Sequence, residues 1–128
     1  MASVALMSVV FVSGAAGHTF RADSTVSVKY DKPKPKDPNV NGSFNGNVSS
    51  VVARCMKGRT VTLFQRTATG NTTVGTDVTD LNGAWQILPS ASVAPGDYYA
   101  TAAKRVIRKN TKHRHICKAA VSKDITVK

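Results

Sequence analysis

The stretch from Thr76 to Ala103, TDVTDLNGAWQILPSASVAPGDYYATAA, narrows the fold more than any other part of the chain. Asn82-Gly83 is a strong short hairpin signal, because both central positions of a type I′ turn need φ > 0. Trp85 and Ile87 then alternate with polar Gln86, and Pro95-Gly96 supplies a second turn before Tyr98-Tyr99. Strand, tight turn, strand, loop, strand is the grammar of antiparallel β-structure. The remaining sequence agrees with it. Val, Thr and Ser are abundant, and glutamate is absent from all 128 residues. That composition favours strands over helices. A chain of this length has room for one domain.

Period-two segments recur along the chain. Phe44, Gly46 and Val48 share one face of a strand over residues 44–50. Val61 and Leu63 share one face of the clearest strand, Arg59 to Arg66, with Thr60, Thr62 and Phe64 on the other. Short strands are expected at Val74–Val78, Ala84–Leu88 and Tyr98–Ala103, and a loop at Thr67–Thr73 around Gly70-Asn71. A closing strand is expected at Val121–Val127, with Val121, Ile125 and Val127 on one face. Turn signals at such short intervals predict an all-β fold, a single antiparallel β-sandwich of about seven strands.

The N-terminal third has a different character. Met1 to Gly17 carries no charged side chain, and its apolar run, Leu6 to Val12, is followed by the small residues Ser13 to Gly17. Despite lacking a basic start, this reads as a signal peptide cleaved near Ala16 or Gly17. The run is far shorter than the roughly twenty residues of a membrane span. Residues 18–40 read as an extended segment. His18 to Tyr30 holds strand-like alternation at Val26 and Val28, and Lys32 to Pro38 (KPKPKDP) forms a solvated polyproline-like linker. Residues 41–128 then form the sandwich, and the extended segment pairs either with its own sheet or with a neighbour's, a route to self-assembly by strand exchange. Cys55 and Cys117 are the only cysteines. An even count in an exported domain favours a Cys55–Cys117 disulfide over two separate buried thiols. It would close a long loop, worth about 4 kcal/mol in the chain-entropy picture.

On these residues a resemblance can be drawn. Phe44 to Ser50 (FNGNVSS), Arg59 to Phe64 (RTVTLF), Thr79 to Ile87 (TDLNGAWQI) and Pro95 to Ala102 (PGDYYATA) resemble the carboxypeptidase regulatory-like domains, which group with transthyretin-like and collagen-adhesin B-type sandwiches. The resemblance spans about Asn41 to Lys128 and implies a non-catalytic accessory, stalk or adhesive module, as in small secreted bacterial proteins. Many adhesin-type members carry a Lys–Asn isopeptide bond promoted by a buried acid. This chain lacks glutamate, and its last strand offers Asp124 but no Asn, so no such bond is expected. The hormone-carrier branch ends in a tetrapeptide missing here, and its ligand chemistry is not carried over.

The best functional candidate is a charge run. The chain holds 18 Lys and Arg against 7 Asp, for a formal charge of +11. From Lys104 to Lys118, KRVIRKNTKHRHICK, there is no acid. With Val106-Ile107 inside it, the run suits a two-stranded excursion with a basic tip over Lys109 to His115. The candidate polyanion contacts are Lys104, Arg105, Arg108, Lys109, Lys112, Arg114 and Lys118. The partners to weigh are anionic cell-envelope polymers, another surface protein or, as an alternative, non-specific contact with nucleic acid. Base stacking would want aromatics between the cations, and the run has only histidine. His113 and His115 flank Arg114. Strand alternation would put them on one face, the beginning of a metal site, but neighbouring cations disfavour it and a solvated loop is the plainer expectation.

Other constellations are weaker. No Gly-x-Ser-x-Gly elbow or paired-carboxylate spacing marks a catalytic centre, so no enzyme activity, cofactor or metal is expected. Asp77, Asp80 and Asn82 could meet a hard cation, but Asp beside a tight turn more commonly caps it. Asn41, Asn47 and Asn71 begin glycosylation sequons and are expected at the surface. The expectation that follows is a secreted, non-enzymatic structural or adhesive module with a basic loop.

Overall fold

The computed structural model describes residues 17–110 and 112–128, with the Lys109 side chain left aside. The leader expected over Met1 to Gly17 lies, except for Gly17, outside the described residues. Among the described residues twelve strands follow in order: β1 His18–Ala22, β2 Thr25–Val26, β3 Lys29–Asp31, β4 Ser43–Ser49, β5 Thr60–Thr67, β6 Gly70–Val78, β7 Ala84–Ile87, β8 Gly96–Ala102, β9 Arg105–Asn110, β10 His113–Cys117, β11 Ala120–Val121 and β12 Ile125–Val127. Among the described residues the one helical element is a 3-10 turn at Ala53–Cys55. The fold is all-β and sandwich-like. The strand count exceeds seven partly because two strands are interrupted and partly because a third sheet stands beside the sandwich.

In the first sheet β4 is central. Tyr30 of β3 and Ile87 of β7 pair with Phe44 from opposite sides. β2 lies along the β3 side, pairing with Val48 and Ser49. Between β2 and β3, Ser27 crosses directly over Gly46: a Cβ there would sit 1.9 Å from the Ser27 carbonyl oxygen. Gly46 is therefore required by a close backbone approach. Residues 18–31 of the extended segment thus pair with their own molecule's sheets, and residues 32–40 form no strand.

The second sheet runs β6–β5–β8, with β11 and β12 both on the far side of β8. Ser122 is the interruption between those two. Its N–H donates to Ala100 O at 2.8 Å, and its Oγ accepts the Ala100 N–H at 2.8 Å. A hydroxyl standing in for a backbone carbonyl shifts the strand, and Val121 consequently faces solvent, 66% exposed, while Val127 remains buried. The expected single face of Val121, Ile125 and Val127 does not form.

The sheets close on Phe44, Val48, Val61, Leu63, Trp85, Tyr98 and Ala100. Alternation along β4 and β5 delivers these side chains inward, and each large one fully buried contributes about 1.5–3 kcal/mol. Phe44 is the centre, with Tyr30 and Tyr98 rings at 4.8 and 4.9 Å. Phe64 faces outward as expected and stacks on Tyr99 at 5.3 Å.

Two turn expectations are corrected. The loop expected at Thr67–Thr73 is the tip of a long hairpin: β6 already begins at Gly70 and pairs with β5 throughout. The Asn82-Gly83 turn is tight, but Gly83 alone has positive φ, at 84°. It is therefore not type I′. Gly83 N–H donates to Asp80 O at 3.1 Å, and the strands it joins belong to different sheets: β6 pairs with β5, β7 with β4. Asp80 Oδ1 accepts the N–H groups of Asn82 and Ala84, and Asp77 Oδ2 accepts that of Gln86. Both acids cap the turn, as read.

Candidate functional site: a basic three-stranded sheet

The chain leaves the second sheet after β8, forms the β9–β10 hairpin and returns as β11. The two-stranded excursion expected from Lys104 to Lys118 is present. It gains a third strand that was not expected: β1 lies parallel to β10, in the order β1–β10–β9. Asn110 Oδ1 caps the tip by accepting the N–H groups of Lys112 and His113, each at 2.9 Å.

Register and alternation divide the side chains between two faces. Thr19 pairs with Arg114, which pairs with Arg108. Arg21 pairs with Ile116, which pairs with Val106. One face therefore carries Arg21, Arg108 and Arg114. The other carries His18 and Phe20 of β1 beside His113 and His115 of β10. Their rings pair at 5.8 Å in each row, His18 on His113 and Phe20 beside His115. The two histidines do share a face, but on a strand rather than in the expected loop. Among the described residues no group of three or more His, Cys, Asp or Glu is placed to hold a metal.

The seven expected cations do not act alike. Arg108, Lys112 and Arg114 are exposed, and among the described residues none of them forms an ion pair. Lys104 is exposed at the junction of β8 and β9. Lys118 meets Asp23 at 2.9 Å. Arg105 turns back and donates to the Lys57 carbonyl, over the Gly58 backbone at φ 63°. Lys109 sits at a bulge in β9, opposite the His113–Arg114 step. Arg105 and Lys118 thus help hold the sheet, while Arg108, Lys112 and Arg114, joined by Arg21, face outward.

The base of this sheet is anchored by few atoms of unusual kind. The Cys55–Cys117 disulfide joins the 3-10 turn to β10, with Cα atoms 5.3 Å apart and a sequence separation of 62. Around it lies a small apolar cluster of Ala22, Val52 and Ile107. Beside it is Arg59, fully buried. Its guanidinium donates to Ser24 Oγ at 2.8 Å, Cys55 O at 2.8 Å, Ala103 O at 3.0 and 2.9 Å, and Lys118 O at 2.8 Å. Ser24, Ala103 and Lys118 lie on segments that lead into or out of the sheet, and Cys55 is tied to it through the disulfide. Burial first, and then neighbouring Arg105, pulls the guanidinium below its usual pKa. Arginine still keeps its charge in proteins, and carbonyl dipoles here take the place of a carboxylate. Sequence reasoning missed this residue, because an Arg in MKGRT reads as an ordinary surface cation. It also missed Arg21, whose partner strand lies near the other end of the chain.

Away from this sheet, the cleft under residues 89–94 holds about 170 Å³, between Phe44, Gln65, Val74, Val93 and Tyr98; no Asp or His lines it. Asn47 and Asn71 are exposed as expected of sequons, whereas Asn41 is half-buried, donating to Pro89 O at 3.1 Å. Asp124 forms a two-point bond with Arg66, at 2.5 and 3.0 Å. Among the described residues no helix is long and apolar enough to cross a membrane. No protein-family model, curated protein or solved structure matches the chain.

Proposed function

We propose that this protein is a non-enzymatic structural or adhesive module, working outside the cell or on its surface, that contacts anionic envelope polymers through the basic sheet. The observation that carries the reading is the Arg108–Arg114 pair. The two lie directly opposite on neighbouring strands, exposed and without an acidic partner among the described residues. Like charges opposite each other in a ladder cost stability. A bound sulfate, phosphate or carboxylate would relieve that cost, and Arg presents a fork suited to such groups. A disulfide that staples the sheet fits an oxidising compartment. The residue pattern of Phe44–Ser50, Arg59–Phe64, Thr79–Ile87 and Pro95–Ala102 supports placing the sandwich with the carboxypeptidase regulatory-like and transthyretin-like domains, and so with accessory modules.

A second reading, non-specific nucleic-acid binding, gains from one observation. β1 brings Phe20 beside His115 and so supplies an aromatic that the basic run lacks. Retention on immobilised dextran sulfate and on single-stranded DNA tests both. Replacing Arg108, Lys112 and Arg114 by Gln should lower the eluting salt concentration on the preferred polymer, since each lost contact reduces the salt dependence. Unchanged elution of the variant on dextran sulfate would remove the proposal, and stronger retention on DNA than on dextran sulfate would move the second reading ahead.

A further inference from the structure

All three histidines of the chain, His18, His113 and His115, project from one face of one three-stranded sheet. The alternate spacing of His113 and His115 accounts for two of them, but nothing in the sequence announces the third. His18 is brought to the other two only by the parallel pairing of β1 with β10. His18 and His113 are exposed and stacked at 5.8 Å; His115 is half-buried beside half-exposed Phe20.

We propose that this ring face is an acid-gated contact surface for a polyanion. This rests on the polyanion reading above and adds to it a second face and a condition. Histidine is the side chain that ordinarily changes charge between about pH 5 and 8. The opposite face, with Arg21, Arg108 and Arg114, holds charge that does not vary over that range. The ring face gathers all three of the chain's histidines, so it is the face on which a pH-dependent charge would be concentrated. Protonated His18 and His113 then repel each other across one ladder position, and an anion bridging them removes the repulsion.

The surroundings leave this charge uncompensated by protein. On β1 the face continues with Phe20 and buried Ala22, on β10 with Cys117, and on β9 with Asn110 and half-buried Ile107. The charged groups nearby on neighbouring elements are cations. Arg105 at the foot of the face is turned to the Lys57 carbonyl, Lys112 stands at the tip, and Arg54 is exposed on the 3-10 turn below. The acid of the adjoining segment, Asp23, is taken by Lys118. Among the described residues no ion pair involves any of the three histidines.

Dextran sulfate is the appropriate probe, because its sulfate esters keep their charge throughout this pH range. Binding is measured at pH 8 and pH 5.5 at fixed ionic strength, for the natural chain, a His18→Gln/His113→Gln variant and the triple variant that adds His115→Gln. The double variant changes only exposed positions, so it reports on charge even if His115→Gln disturbs the sheet. The natural chain should bind about ten-fold tighter at pH 5.5, with a steeper dependence on salt. The double variant should lose most of that gain and the triple variant all of it, both matching the natural chain at pH 8. A gain of equal size in all the proteins would overturn the inference and assign the effect to protonation elsewhere. A natural chain that binds equally at both pH values would overturn it while leaving the charge reading intact. Absence of binding by every protein at both pH values would overturn the charge reading and this inference with it.

Discussion

The sandwich and the basic sheet solve the same problem by different means. The sandwich buries Phe44, Val48, Val61, Leu63 and Tyr98 between two sheets and is held by apolar contact. The basic sheet exposes cations on one face and rings on the other, so it has little to bury beyond Ala22, Ile116 and the disulfide. In place of a core it has a covalent bond and one buried guanidinium that reaches four chain segments. A surface that must remain wet on both sides cannot be stabilised by burial, and here the stabilisation is concentrated at its foot. Strength that is spread over many contacts in one region is placed in very few atoms in the other.

That contrast can be broken or sharpened by substitution. Phe44→Ala should have the largest effect, about 4 kcal/mol, because it empties the centre of the core. Chemical denaturation should show the loss globally, with both regions unfolding together. Replacing Cys55 and Cys117 by Ala should cost up to about 4 kcal/mol, the chain-entropy figure for so long a loop. Here the loss should be uneven: amide exchange should accelerate in β1, β9 and β10 far more than in β4 and β5. Uniform acceleration would mean that the two regions are one cooperative unit.

Arg59→Met keeps much of the volume but leaves the Ser24, Cys55, Ala103 and Lys118 oxygens without their donor. A cost of about 2 kcal/mol is expected, after water has recovered part of the loss. Thermal unfolding gives the size, and exchange at the amides of β1 and β10 gives the location. If the sandwich strands loosened more than the basic sheet, the clamp role of Arg59 would be wrong.

The smallest effect concerns acid. Hydrogen bonding to Arg66 holds the Asp124 carboxyl below its usual range, and hydrogen bonding to Asn45 does the same for Asp31. A carboxylate whose pKa is lowered by folding stabilises the native state above its unfolded pKa, and that contribution fades as pH falls through the folded value. Stability should therefore decline as pH drops below the ordinary carboxylate range, and Asp124→Asn should flatten part of the slope. Both groups are exposed and lie outside the basic sheet, so acid should weaken the sandwich slightly while strengthening polyanion binding. Calorimetry and binding measured over one pH series separate the two trends.

What could be read in advance follows the range of the interaction. Alternation at Phe44–Val48 and Val61–Leu63 is local, and both strands form as read. The excursion from Lys104 to Lys118 is local too, because a hairpin pairs near neighbours. The Asn82-Gly83 turn shows where local reading stops. Its tightness is written in the residues, but which strand each arm pairs with depends on β4 and β5. The interruption at Ser122 depends on where Ala100 presents its N–H, so Val121 turns to the face opposite the one that alternation predicts. Arg59 and Arg21 take their roles from segments remote in sequence, and no window around either residue carries a signal.

The parallel pairing of β1 with β10 has a consequence for the order of assembly. On a ribosome, His18 and Phe20 emerge long before His113 and His115, and β1 has no sheet of its own to join until the β9–β10 hairpin exists. Cys55 likewise waits for Cys117. The sandwich strands β4 to β8 can settle while this first strand is still idle, since domains condense as their sequence becomes available. Pairing between such distant segments is slow to close. The ring face is therefore completed late, with only β11 and β12 still to follow along the second sheet, and a molecule that displays it has brought its first strand to its tenth.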